Sequence, residues 1–220
     1  YMRTLLVPMA GRSSRFPNLR PKWQLTHPMT NRFMVTEAIL GLNLDFFDNI
    51  YFICLQEHED KYHFTKGFVS ELDELGLREK SNIVLLAEQT SSQSETVYTF
   101  LSGQELEGFV FIKDSDGFYR CDVEERNQVA YFDLNDMDNI NAKSKSYVEL
   151  DINNVLTNIV EKKVISPTFS SGGYGFADAK EFCSTYEKLQ DMEGECYISH
   201  IVFEMMLNGS TFYGTKTSDF

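Results

Sequence analysis

The sequence predicts an α/β fold: a three-layer, mostly parallel sheet with a small β-rich region on one side. Three observations predict it. Short apolar runs of strand type, Thr4–Val7, Ile50–Leu55, Ile83–Leu86 and Phe109–Ile112, recur through the first half of the chain. Stretches with helical spacing lie between them, and strands alternating with helices build a parallel sheet covered on both faces. From Asn127 the rhythm changes: Val129–Phe132, Tyr147–Leu150 and Val155–Val160 read as strands joined by Asn/Asp-rich turns, with no helix between them.

Each element has its local reason. Phe33, Val35, Ala38, Ile39 and Leu42 predict a helix ending near Gly41, and a second helix runs through Phe64 to Leu75, with Gly76 as its C-terminal cap. His58 and His63 belong to a solvated helical surface. A third helix spans Glu95–Leu101, for which Ser94 is a good N-cap. Asp178 and Glu181 have capping-box spacing at the start of another. Ile198, Ile201, Val202, Met205 and Met206 share one helical face, read as core packing, and Gly209 ends that helix.

The totals bound the answer. A chain of 220 residues at 42% hydrophobic can bury one sizeable core, so one domain is expected over 1–220, with 1–125 forming one part and 126–220 the other. No apolar run approaches the roughly 20 residues of a membrane span, and no secretory leader is read at the start. Cys54, Cys121, Cys183 and Cys196 are scattered without a CxxC pair, as expected of reduced thiols in a cytoplasmic protein. The net charge of −13 argues against nucleic acid as a partner.

The charge is uneven. Residues 1–36 hold six Lys/Arg and no acid, while the remainder carries −19. Strand Thr4–Val7 breaks into Met9-Ala10-Gly11-Arg12-Ser13-Ser14-Arg15, continued by Lys22. Gly11 can take the positive φ of a tight turn, Ser13 and Ser14 add hydroxyl donors, and Arg12, Arg15 and Lys22 converge positive charge. A strand, a small-residue loop and converging cations make a cradle for a phosphate chain; a basic surface loop is the plainer alternative.

Three further stretches carry chemistry. Asp114 and Asp116 follow the strand Phe109–Ile112, where two carboxylates can hold a divalent cation such as Mg²⁺ against phosphate oxygens, although Asp also makes ordinary turns. Glu161-Lys162 precedes a glycine-rich segment, Gly172-Gly173-Tyr174-Gly175, and alone reads equally as a surface ion pair. The polar run Ala87–Thr96, containing Gln89, Ser94 and Glu95, leads into a helix and could hydrogen-bond a base and ribose.

The run Gly11-Arg12-Ser13-Ser14-Arg15 followed by Pro21-Lys22 resembles the N-terminal signature of nucleotidyltransferases of the sugar-nucleotide pyrophosphorylase type. The resemblance implies a Rossmann-like, GT-A-type sheet, with Met9 to Ser14 wrapping a nucleoside triphosphate and Arg15 and Lys22 holding its phosphates. It implies base recognition by Gln89, Ser94 and Glu95, and Mg²⁺ on Asp114 and Asp116. It also implies a phosphorylated small-molecule acceptor at Glu161, Gly173 and Tyr174, with Lys162 on the acceptor phosphate. The chain departs from the signature at Ser13, where a second glycine is usual, and at Trp23, where a proline is usual; Trp23 bears on the loop that faces the acceptor. A second metal-binding carboxylate is implied at Asp219 or in a segment beyond Phe220.

Within that family, Val7-Pro8-Met9-Ala10-Gly11-Arg12-Ser13-Ser14-Arg15-Phe16-Pro17 with Arg20-Pro21-Lys22-Trp23 looks like capsule-biosynthesis members that transfer CMP from CTP to phosphoglutamine. A sugar 1-phosphate acceptor stays open. So do two other classes: a glycosyltransferase of the same architecture, and a nucleotide sensor without catalysis.

Overall fold

The computed structural model describes residues 2–11, 20–136 and 144–219. In chain order the elements are strand β1 (Arg3–Met9), helix α1 (Met34–Ile39), β2 (Asn49–Leu55), α2 (Gln56–Tyr62), α3 (Thr65–Glu74), β3 (Ser81–Leu86), α4 (Gln93–Gln104) and β4 (Phe109–Lys113). There follow β5 (Gln128–Asp133), β6 (Ser146–Leu150), β7 (Leu156–Glu161), β8 (Thr168–Phe176), α5 (Ala179–Leu189), α6 (Ile198–Leu207) and β9 (Tyr213–Lys216). Strands β3, β2, β1 and β4 run parallel in that spatial order. Beyond β4 the sheet turns mixed: β8 pairs antiparallel with β4, β5 and β6, and β9 runs parallel to β5.

Strand β1 reads as an unbroken apolar run because both its faces are covered. The period-2 alternation of side chains divides it between two cores. Leu6, with Ile53 of β2, packs against Val97, Phe182 and Ile201 from α4, α5 and α6. Leu5 and Val7, with Phe52, face Val35 and Phe68 from α1 and α3. The result is helix, sheet, helix. Phe52 and Phe68 meet edge to face at 4.7 Å, and burying side chains of that size stabilises by about 1.5–3 kcal/mol each. A smaller core of Phe132, Tyr147 and Phe169 anchors the β-rich side.

Four expectations change. The helix predicted through Phe64–Leu75 is preceded by a separate α2, and His63 breaks the two apart in the left-handed region at φ 49°. Gly76, at φ 71°, closes α3 as expected. His58 is only partly solvated: it is half-buried beside Trp23, with ring centroids 6.1 Å apart. Helix α4 starts two residues early, with Ser92 as the N-cap accepting from the Glu95 amide at 3.1 Å. At α5 Asp178 caps the helix but the capping box does not form, because Asp178 accepts from the Lys180 amide, not the Glu181 amide, and the Glu181 side chain turns to Ser210. Among the described residues, no helix is long and apolar enough to cross a membrane.

Candidate active site

Parallel strands place their outgoing loops at one edge of the sheet, and in open α/β sheets ligands bind beyond those carboxyl ends. Met9 ends β1 and Lys113 ends β4, so the first loop and the Asp114–Asp116 turn leave side by side. They border a cavity of about 290 Å³ whose walls include Met9, Gly11, Lys22, Trp23, Gln93, Thr96, Asp114 and Asp116. A second cavity, of about 430 Å³, is walled by Lys145, Glu161, Lys162, Tyr174, Tyr197 and five serines (Ser144, Ser146, Ser170, Ser171 and Ser199). Gln93 and Asp114 line both.

The first cavity gathers opposite charges. The Lys22 ammonium lies 2.9 Å from Asp116 Oδ2. Asp114 Oδ1 accepts from the buried Lys113 ammonium. The Asp114 carboxyl is raised to about 6, burial and then Asp116 pushing it up against the pull of Lys113 and Lys145. Its side chain keeps 28% of its surface open to the cavities. Trp23 forms an apolar wall, packed edge-on against Phe64 at 4.8 Å. Thr90 ties the loop after β3 to the end of β1, donating to Ala10 O at 3.4 Å and sharing a 2.5 Å hydrogen bond with Thr96.

Asp114 and Asp116 could hold a divalent cation. They supply oxygen donors only, and one oxygen of each is free of the lysine contacts. Among the described residues no group of three or more His, Cys, Asp or Glu could share a metal ion. Two carboxylates suit a hard cation that keeps water and takes its remaining oxygens from a substrate phosphate.

The second cavity is built around Glu161. Ser199 Oγ donates to Glu161 Oε2 at 2.6 Å and Ser146 Oγ donates to the same oxygen, so Oε1 is left for a ligand. Lys162 follows at the end of β7 with φ 57°, a left-handed backbone held by the hydrogen bond its N–H donates to Lys145 O at 2.9 Å. Its ammonium donates to the Tyr197 hydroxyl at 2.5 Å, which raises its pKa. The Tyr174 phenol is pushed up to about 12 by burial, while hydrogen bonds from Ser170 and Ser146 pull it down.

The two cavities therefore bring together Met9, Gly11, Lys22, Asp114 and Asp116 on one side and Glu161, Lys162 and Tyr174 on the other. Arg12, Ser13, Ser14 and Arg15 lie outside the described residues. Ala10 is fully buried and lines neither cavity. Gln89 is exposed and lines neither cavity. Ser94 and Glu95 also fall outside both: Ser94 is buried and donates to Cys196 O, and Glu95 accepts from the Ser91 amide and hydroxyl. Gly173 turns away from the acceptor side, since a Cβ on it would strike Phe111 and Ala130 in the core. Its neighbour Gly172 is the one that faces Asp114, at φ 99°. Trp23 walls the first cavity and does not line the second. Asp219 is paired with Arg120 at 2.9 Å and lines neither cavity.

Sequence reasoning did not single out Gln93 and Thr96 within the run Ala87–Thr96, and it missed Tyr197 and Ser199. A signal for Gln93 existed. Ser92 and Glu95 have capping-box spacing, which starts the helix at Gln93 and turns Ser94 inward.

No family model matches the sequence, and no curated protein matches it. The fold does have solved counterparts. The chain is similar to a nucleoside-diphosphate-sugar pyrophosphorylase from Vibrio cholerae RC9, with 21% identity, a TM-score of 0.77, and coverage of 98% of this chain and 92% of that one. It is similar to the inositol-1-phosphate CTP transferase from T. maritima, with 14% identity, a TM-score of 0.72, and coverage of 98% and 85%. It is also similar to a UDP-glucose pyrophosphorylase complexed with UDP-glucose, with 14% identity, a TM-score of 0.69, and coverage of 99% and 92%. At these identities the likeness is one of fold.

Proposed function

We propose that the chain is a nucleotidyltransferase that moves an NMP unit from Mg²⁺-NTP to a phosphorylated small acceptor and releases pyrophosphate. One observation carries the reading: two cavities, one with Lys22 and two carboxylates and one with Glu161 and Lys162, share Asp114 and Gln93 as a common wall. Two substrates seated there would meet at that wall. The solved counterparts, two named as pyrophosphorylases of nucleoside-diphosphate sugars and one as an inositol-1-phosphate CTP transferase, support the same reaction class.

In this reading the first cavity takes the triphosphate. Lys22 and Arg15 bind its phosphates, and Trp23 keeps water from one side of the chain. Mg²⁺ held by Asp114 and Asp116 would supply neutralisation of phosphate charge. Lys162 holds the acceptor phosphate, steadied by Tyr197, and Glu161 orients the rest of the acceptor through its free oxygen. An oxygen of the acceptor phosphate bonds to the α-phosphorus, and the bond from that phosphorus to the bridging oxygen breaks. Pyrophosphate takes the electron pair. The attacking oxygen is already anionic, so no general base is needed, and positioning with charge neutralisation accounts for the acceleration.

The resemblance of the loop and Arg20-Pro21-Lys22-Trp23 to capsule-biosynthesis members favours CTP as donor and phosphoglutamine as acceptor, in capsular polysaccharide biosynthesis. A sugar 1-phosphate acceptor is the second reading, favoured by the names of the solved counterparts. Incubating the chain with Mg²⁺, each NTP in turn and a panel of phosphoglutamine and sugar 1-phosphates separates the two by which pair releases pyrophosphate. Release with no acceptor at all would contradict both.

A further inference from the structure

We propose that Lys113 is a positioning residue for Asp114: a buried ammonium that ties down one carboxylate oxygen, turns the other to the cavity, and so sets the affinity for a divalent cation. The inference rests on the reading above that Asp114 holds the metal.

Lys113 ends β4 and is 0% exposed, a position lysine seldom takes unless paired. Its three donors are all met, by Asp114 Oδ1, by the Asp114 carbonyl at 3.0 Å and by the Gly117 carbonyl at 2.5 Å. The Tyr119 ring face lies 4.6 Å from the nitrogen. An ammonium has three donors and no more, so Lys113 has none left for a phosphate. Whatever it does for a ligand it does through Asp114.

Asp114 is confined on its other sides as well. A Cβ on Gly117 would lie 2.9 Å from Asp114 Oδ2, and a Cβ on Gly172 would lie 2.7 Å from Oδ2 and from Cγ. The Asp114 amide donates to Gly172 O at 3.0 Å. The carboxylate therefore sits in a slot between two backbones that carry no side chains, with the lysine at one oxygen. For stability alone, an apolar side chain of similar volume would serve as well as a buried ion pair. The retained charge makes sense as a device that holds a ligand in place, as groups behind metal ligands do.

The test uses Mn²⁺ alone as the probe, with free Mn²⁺ read by electron paramagnetic resonance. It is applied to the wild-type chain, Lys113→Met, Lys113→Gln and Asp114→Asn, with circular dichroism and thermal melting to check folding. Expected is Mn²⁺ binding by the wild type, loss of it in Asp114→Asn, and weakening of about tenfold or more in Lys113→Met. Lys113→Gln, which keeps a donor without the charge, should fall between. Affinity that is unchanged or tighter in folded Lys113 variants overturns the inference and leaves the metal reading standing. A wild type that binds no Mn²⁺, or binds it equally as Asp114→Asn, overturns the metal reading itself. Should Lys113→Met not fold, Lys113→Gln decides; failure of both to fold assigns Lys113 to the fold alone and overturns the inference.

Discussion

The Lys22 ammonium and Asp116 Oδ2 stand 2.9 Å apart across the first cavity. The pair joins a cation expected on the triphosphate to a carboxylate expected on its metal. Both side chains are substantially exposed, so the contact itself adds little stability, about 0–1 kcal/mol. Its significance is that each group is within reach of the other's ligand. Lys22→Ala should therefore leave the melting temperature nearly unchanged while lowering kcat/KM by about a hundredfold or more. Near-normal turnover in the folded variant would sink the assignment of the loop.

Gly172 reaches Asp114 from the opposite side. Its φ of 99° disfavours any side chain, and a Cβ would press on the carboxylate. Gly172→Ala should cost about 1–3 kcal/mol of stability and weaken activity as well. A melting temperature equal to wild type would show that the backbone there relaxes freely.

Ser199 and Ser146 fix one oxygen of Glu161. Removing one of these donors loosens the carboxylate without touching the first cavity. Ser199→Ala is expected to raise the acceptor KM by roughly three- to tenfold, the effect of about one hydrogen bond, with the NTP KM unchanged. Steady-state kinetics in both substrates reads this directly, and a change confined to the NTP KM would place Glu161 on the wrong substrate.

His58 supplies a pH dependence. Burial beside Trp23 holds its imidazole below the usual value, with Glu57 pulling up and Lys61 down. Its Nδ1 is buried without a hydrogen-bond partner among the described residues. A depressed folded pKa means that the unfolded chain binds the proton more readily. The stability it contributes is present above about pH 6.5 and is lost as the pH falls through the lowered folded value. Melting temperatures over about pH 5–8 should show a fall on the acid side that His58→Leu flattens. Trp23 is the sole tryptophan, so its fluorescence should follow the same transition. An identical acid slope in the variant would assign the fall to other groups.

What was legible in the sequence was what depends on local pattern. Strands β1 to β4 carry apolar runs long enough to need cover on both faces, and Asp114–Asp116 follows directly from the end of β4. Strand β8 was not legible as a strand, because Ser170-Ser171-Gly172-Gly173 interrupts any alternation. Those small residues answer to tertiary neighbours: Gly172 to Asp114, Gly173 to Phe111 and Ala130. Strand β9, four residues long, was not legible for the same reason, since its pairing with β5 is settled by distant sequence. The site was legible in its charged residues. It was not legible in Gln93, Tyr197 and Ser199, which reach it through the phase of α4 and α6. A shift of two residues at the start of α4 exchanges Ser94 for Gln93 at the cavity wall.

The central claim is transfer of the NMP unit, attacked at its α-phosphorus, from one substrate to another that meets it at Asp114. The most direct measurement supplies the chain with Mg²⁺, NTP labelled at the α-phosphorus and the phosphorylated acceptor, and then follows the label. The account predicts label in a diphosphate-linked NMP–acceptor conjugate, in amounts equal to the pyrophosphate released, and none formed by Asp114→Asn. Label found in free NMP, or in no product while NTP still binds, would contradict it.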